Sequence, residues 1–395
     1  MLRIIMVSLV LIGPVWSQPE PPAALFQQAL ERMQINMASQ PNYTCLETVE
    51  RSRRLPELKY ALEDTIRLEV ALVDGKEMFA WPGEKQFQDR ELRELINSGM
   101  FGNGNYGIYT RMLFGGDGPS MAFVGEAEVR GRRVAQFRYT VPRLASGYWL
   151  HMNQLEDRVG FHGFVYIDPL TSDVVSIALI ADDIPGPLGV AAAESSVDFE
   201  RIQIAQDSQP FLLPVESTLM MALSDGSVSR NRVRFSGCHK FVGESTLILD
   251  ESRLEEAVVV IEEVRLPPAT QIDLEFRMKF PLATAAVGDA VTAELKADIK
   301  TDTKDGKRVL VPKGATVKGR ILTLERAPDR TRLQLRFSEL SWPGHHASFT
   351  AEFLRNAGFS PPSHGRVYLQ GNTIVFLVAA PPDLKGDRWI FQTLP

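Results

Sequence analysis

The chain has 395 residues, of which 44% are hydrophobic and 23% charged, which is ordinary globular composition and rules out disorder as its main state. Its length exceeds the usual size of one hydrophobic core, so two domains are expected. A formal net charge of −6 argues against a protein built to hold nucleic-acid phosphates.

Met1-Leu2-Arg3 is a short basic head, Ile4 to Val15 is mainly apolar, and Val15-Trp16-Ser17 precedes Gln18 in the manner of a cleavage site. This is the outline of a secretory signal peptide over residues 1–17. No other run of about 18 apolar residues occurs, so no transmembrane segment is expected in the mature chain. Pro19 to Pro22 then reads as a stiff spacer, followed by an amphipathic helix ending near Ser39-Gln40-Pro41.

Tyr43 to Arg51, Tyr60 to Val73 and Lys76 to Trp81 read as strands, the last two joined by an Asp74-Gly75 turn. Asp89 to Ser98 has the pattern of a short charged helix stopped by Gly99, and Ile108 to Phe114 that of a helical turn. Met121 to Val129 and Arg132 to Val141 predict a hairpin over Gly131, with Tyr148 to Met152 a further strand. Phe164 to Ile167 and Val174 to Ala181 are β-rich runs joined by Asp168-Pro169-Leu170-Thr171-Ser172-Asp173, whose residues favour a turn. Ser196 to Ala205 and Val215 to Leu223 form a second pair. Alternation in Val197-Asp198-Phe199-Glu200-Arg201-Ile202 gives it one apolar and one wet face. Val228 to Phe241 and Ser245 to Leu249 complete a first domain over residues 18–250.

Residues 251–268 form an acidic linker that ends at Leu266-Pro267-Pro268. Beyond it, Ile272 to Phe280, Ala290 to Ile299, Val309 to Val311, Thr316 to Leu324, Arg332 to Phe337 and Ala347 to Phe353 are short strands. Their spacing predicts a small β-barrel or sandwich over residues 269–395. Residues 18–250 hold 22 Lys and Arg against 31 Asp and Glu, whereas residues 269–395 hold 18 against 13. The two parts therefore either attract one another, or the basic part faces an acidic envelope surface, or both are indifferent solvated surfaces.

Chemistry is harder to find. Gly102-Asn103-Gly104-Asn105-Tyr106-Gly107 matches a dinucleotide fingerprint, but a charged helical pattern precedes it where a buried strand is required, so it reads as a loop. The six histidines form no short-spaced ligand set, with His151 and His162 the best pair, and no metal or other cofactor is expected. No G-x-S-x-G elbow is present, and Asp182-Asp183 beside Ile184-Pro185-Gly186-Pro187 read as loop acids. No catalytic residue is assigned and no enzyme activity is expected. Cys45 and Cys238 fit one disulfide of an exported protein, the other reading being two buried thiols.

There remain bulky apolar residues near the first helix and glycine loop: Phe79, Trp81, Phe87, Phe101, Phe114, Phe123 and Trp149. Each is read as ordinary core or as the lining of an apolar cavity under a curved sheet.

The first domain resembles the LolA/LolB superfamily of periplasmic lipoprotein-carrier folds. Gly163-Phe164-Val165-Tyr166-Ile167-Asp168-Pro169 with Thr171 is like that superfamily's mid-sheet hairpin, and Phe211-Leu212-Leu213-Pro214-Val215 is similar to a later strand. Pro41-Asn42-Tyr43-Thr44-Cys45-Leu46-Glu47-Thr48 is similar to the opening of exported proteins of soil bacteria. The resemblance implies a mainly β (α+β) fold, a curved antiparallel half-barrel packed on an N-terminal helix, with an apolar cavity for acyl chains. Ala286-Val287-Gly288-Asp289 and Val311-Pro312-Lys313-Gly314-Ala315-Thr316 resemble the β-barrel module of TrbI-type conjugation-channel proteins.

The sequence therefore predicts a periplasmic or secreted bacterial protein. Its first domain is expected to bind lipid or a lipoprotein partner through Phe79, Trp81, Phe114, Phe123 and Trp149. The alternative is a cell-envelope scaffold that docks a protein partner and carries no cargo.

Overall fold

A computed structural model of the chain describes residues 22–84, 87, 106–115, 118–152, 155–205, 209–241, 262–277, 282–303, 306–327, 329–356, 366–377, 384–386 and 388–394. The leader, the helix expected over Asp89 to Ser98, Phe101, most of the glycine run, the Ser245 to Leu249 strand and most of the acidic linker lie outside these residues. Among the described residues no helix is long and apolar enough to cross a membrane.

The fold is mainly β. A ten-stranded, wholly antiparallel sheet runs in the order β3-β2-β1-β12-β11-β10-β9-β8-β5-β4. Its members are β1 (Tyr43–Arg54), β2 (Ala61–Val73), β3 (Lys76–Ala80), β4 (Ala122–Val129), β5 (Arg132–Val141), β8 (Gly160–Ile167), β9 (Val174–Asp182), β10 (Val190–Ile202), β11 (Phe211–Leu223) and β12 (Val228–Lys240). A separate hairpin, β6 (Trp149–Met152) with β7 (Leu155–Arg158), stands outside it. The order is that of a meander in which β1 closes onto β12, so strands far apart in sequence become neighbours.

The turns follow from the sequence. Asp74 and Gly75 both take positive φ in the β2–β3 hairpin, as Arg130 and Gly131 do between β4 and β5. The Asp168 carboxylate accepts the Leu170 N–H at 2.8 Å, closing the β8–β9 turn. Gly163 is required by contact: a Cβ there would lie 2.7 Å from the Tyr139 hydroxyl, which passes over the strand to donate to the Ala178 carbonyl. Strand β10 begins at Val190, six residues before the alternating pattern that signals it. Ala192 to Ser195 carry weak strand propensity, and pairing with β9 and β11 extends the strand through them.

Helix α1 (Pro22–Ser39) buries Leu25, Ala29, Met33 and Asn36, a single stripe at helical spacing. The stripe covers the inner face of the sheet together with α2 (Tyr106–Phe114), whose Leu113 and Phe114 join the same core. Asn36 fixes the seat of α1. Its side-chain amide donates to the Leu212 carbonyl at 3.0 Å and accepts the Leu212 N–H at 2.8 Å.

The C-terminal part closes into a barrel rather than a sandwich. Strands β14 (Gln271–Glu275), β15 (Ala290–Leu295), β18 (Thr316–Ala327), β19 (Arg330–Trp342), β20 (His345–Asn356) and β23 (Arg388–Thr393) pair in that order, and β23 returns to β14. Phe276, Phe337, Phe353, Trp389 and Phe391 fill its core, with Phe337 and Phe391 edge-to-face at 4.8 Å. A hairpin of β16 (Ile299–Thr303) and β17 (Gly306–Val311) lies apart. The run expected over Ala290 to Ile299 is thus divided between two sheets.

Barrel and sheet share one core. Residues on the inner face of β1 and β2 alternate, so Cys45, Glu47, Val49 and Arg51 stand opposite Val70, Leu68, Ile66 and Asp64. Val49, Ile66 and Leu68 pack with the barrel residues Val287, Val291 and Ile321. Val287 also extends the sheet itself: its N–H donates to the Thr65 carbonyl and its carbonyl accepts the Arg67 N–H, both at 2.8 Å. Arg67 pairs with Asp289 at 2.5 Å, and Gly288 lies so close under Trp81 that a Cβ would meet the ring at 2.7 Å. Gly288 has φ of 95°, which few other residues accept.

Candidate functional site

The C-terminal half of α1, at Met33 and Met37, stands over an opening on the inner face of the sheet. A cavity of about 410 Å³ lies there, a size typical of small-molecule sites. Met33 and Met37 of α1 form its roof, Val70, Leu72, Phe79 and Phe235 of the sheet its floor, and Phe199, Leu212 and Pro214 one wall. Phe79, Val70 and Phe235 pack against the barrel core as well, so one apolar cluster runs from the barrel to the cavity floor. The exposed Asp74-Gly75 turn and Arg111 of α2, whose guanidinium donates to the Gly75 carbonyl at 3.2 Å, rim the mouth. Asp74 is held by Asn42, whose side-chain oxygen accepts the Asp74 N–H at 2.9 Å.

The Cys45–Cys238 disulfide forms part of the wall, crosslinking β1 to β12 beside the irregularity in their pairing at Thr44 to Leu46. Two positions along β1, on the same face, is Glu47. It is 2% exposed, lines the cavity, and makes no hydrogen bond or ion pair with a described residue. Burial, with a smaller contribution from Glu77 on β3, pushes its pKa up to about 8. Burial and Glu77 likewise push the Tyr43 phenol up, against a hydrogen bond with Gln40 that acts in the other direction.

The folded state therefore holds on Glu47 a proton that the unfolded chain releases near the ordinary value of 4.5. The sign follows: stability from this group is full below that value and is lost as pH rises through about 8. The thermal midpoint should fall between about pH 5 and about pH 9, and Glu47→Gln should flatten that fall. Parallel pH profiles for the two proteins would show that Glu47 ionises as freely as an exposed acid.

The five residues proposed from sequence to bind lipid are not brought together. Only Phe79 lines the cavity. Trp81 packs between sheet and barrel, against Gly288 and beneath the Arg320 guanidinium at 5.9 Å. Phe114 is wholly buried in the core under α1. Phe123 is 44% exposed on the edge strand β4 and rests on Phe137, while Trp149 is 43% exposed on the separate hairpin with Arg158 over its ring. Phe87 contacts Phe241 edge-to-face at 5.7 Å. His162 and His151, the best histidine pair, each face a carboxylate instead, Asp182 at 2.8 Å and Glu156 at 2.9 Å. Sequence reasoning overlooked Glu47, although alternation along Cys45-Leu46-Glu47-Thr48-Val49 puts it on the apolar face and marks it as an acid out of place.

No protein-family model matches the chain, and no curated protein does. Solved structures similar to it include a LolA superfamily protein from Nitrosomonas europaea, at 13% identity and a TM-score of 0.29, covering 55% of this chain and 93% of that one. A DUF1329 family protein from Desulfovibrio piger matches at 13% identity and a TM-score of 0.31, covering 59% and 98%. The lipoprotein LppX of Mycobacterium tuberculosis matches at 10% identity and a TM-score of 0.18, covering 56% and 98%.

Proposed function

We propose that this protein is a non-catalytic, exported binding protein that takes the apolar chain of a lipid or acylated partner into the cavity under α1. The observation that carries this reading is the cavity itself. It is open at a solvent-facing mouth, and eight of its described lining residues are Met, Leu, Val or Phe, where a packed scaffold would fill it with its own side chains. Among the described lining residues there is neither Ser nor His, and both cysteines are bonded. The leader-like residues 1–17 and the disulfide support an exported location, periplasmic or secreted. Binding would be driven by burial of methylene groups at about 0.8 kcal/mol each.

Native mass spectrometry of the mature protein, gently purified from an exporting host, should show a bound lipid mass that disappears on denaturation. Leu72→Trp, which fills the cavity near its mouth, should lower uptake of an anthracene-labelled fatty acid about tenfold by excluding two or so methylenes. A bare protein mass together with no uptake by the unsubstituted protein would favour the cargo-free envelope scaffold.

A further inference from the structure

An apolar cavity accounts for an acyl chain but not for a buried acid in its wall. We propose that the polar end of the cavity recognises a cationic head group, so that the ligand is an amphipathic amine whose ammonium pairs with Glu47 while its chain lies against the apolar wall. This deepens the lipid-binding reading and rests on it.

The charges facing Glu47 can be taken element by element. Its own strand β1 contributes Tyr43, and β3 contributes Glu77. The β2–β3 turn contributes Asp74, and α2 contributes Arg111 at the rim, where it is engaged with the Gly75 carbonyl. Helix α1 and strands β10, β11 and β12 bring no charged side chain to the lining. Among the described residues, three carboxyls thus face the cavity against one guanidinium at its mouth.

An anionic head group would meet like charge on entering. A neutral one would leave Glu47 protonated, with only a hydrogen bond to offer. Burying a carboxylate unpaired is costly, and a cation arriving with the ligand supplies the missing partner. The Glu47 carboxyl is buried, unpartnered among the described residues and part of the cavity wall, and Val70, Phe79 and Phe235 line the same cavity.

Proton linkage gives the proposal a signature. With its pKa at about 8, Glu47 holds a proton at neutral pH in the empty protein. Pairing with an ammonium requires the carboxylate, so uptake of the amine releases that proton to the buffer, and affinity rises with pH until Glu47 is already ionised.

The full chain would be titrated calorimetrically with dodecylamine, dodecanol and dodecanoate, each below its micellar concentration, in buffers of different ionisation enthalpy. Dodecylamine should bind at least about tenfold more tightly than the other two and release a proton near neutral pH. Glu47→Gln, which keeps the shape of the side chain, should weaken the amine about tenfold, abolish proton release and leave dodecanol within about twofold. Dodecanol or dodecanoate binding as well as the amine, or an unchanged Glu47→Gln variant, would overturn the head-group assignment and leave the cavity reading standing. Binding of none of the three would overturn both.

Discussion

Asp64→Ala is expected to destabilise the protein by about 3–5 kcal/mol, a loss readable by urea denaturation. Asp64 and Arg51 stand opposite one another on β2 and β1, and their side chains are only 5% and 6% exposed. The guanidinium grips the carboxylate at both oxygens, with Nε donating to Oδ1 at 2.6 Å. The pair sits at the foot of the inner face, where sheet and barrel enclose a second cavity lined also by Arg326, Arg330 and Arg332. Arg326 is half-buried there, donating to the Leu282 and Ala285 carbonyls; burial lowers its pKa and the Asp64 charge partly offsets this. Removing the carboxylate therefore strands Arg51 without its counter-ion and withdraws support from Arg326. The paired replacement Arg51→Met with Asp64→Leu should cost far less, because it removes the buried Arg51 charge together with its partner and leaves only Arg326 with weakened support. A single variant that loses less than about 1 kcal/mol would mean that water reaches the pair freely.

Breaking the disulfide should have an effect of comparable size. Cys45 and Cys238 are 193 residues apart in sequence, and loop-closure entropy for a crosslink of that span amounts to roughly 5 kcal/mol, an upper figure. The Cys45→Ala, Cys238→Ala protein should lose about 2–5 kcal/mol. It should also bind the labelled fatty acid less well, because the bond holds β1 and β12 together at the cavity wall. Coinciding thermal transitions with and without reductant would contradict this, provided thiol labelling confirms that reduction was complete.

The parts of the fold legible in the sequence are those where local chemistry and tertiary pairing agree. The β8–β9 hairpin has Asp168-Pro169 to open its turn and β-rich apolar runs on both arms. Asp74-Gly75 and Gly131 mark hairpins through residues suited to positive φ. Strand β10 was legible only from Ser196, because its alanine-rich start is held by neighbours and not by its own propensity. The C-terminal strand Arg388–Thr393, which closes the barrel, gave no recognised signal of its own. Its Trp389, Ile390 and Phe391 form a short apolar run that becomes a strand through pairing with β14 and β20.

The site was legible in kind but not in place. Aromatic identity says that a residue wants burial, and not which core will receive it. Phe114 went under α1, Trp81 to the barrel and Phe79 to the cavity. Glu47 was the more informative residue, since an acid in register with Cys45 and Val49 breaks the apolar pattern of a buried face. What the sequence could not reveal is that the barrel core would continue into the cavity floor, which depends on pairing between residues more than two hundred positions apart.

The backbone pairing of Val287 with Thr65 and Arg67 has a further consequence. Strand β3 covers β2 only from Glu69 to Val73, so the stretch beside Thr65 would otherwise present free amide and carbonyl groups along a sheet margin. Such a margin is a template for any extended chain, including another copy of itself. The barrel thus guards the sheet against self-association, and a fragment cut after β12 would be prone to accumulate as oligomers even with every one of its ten strands intact.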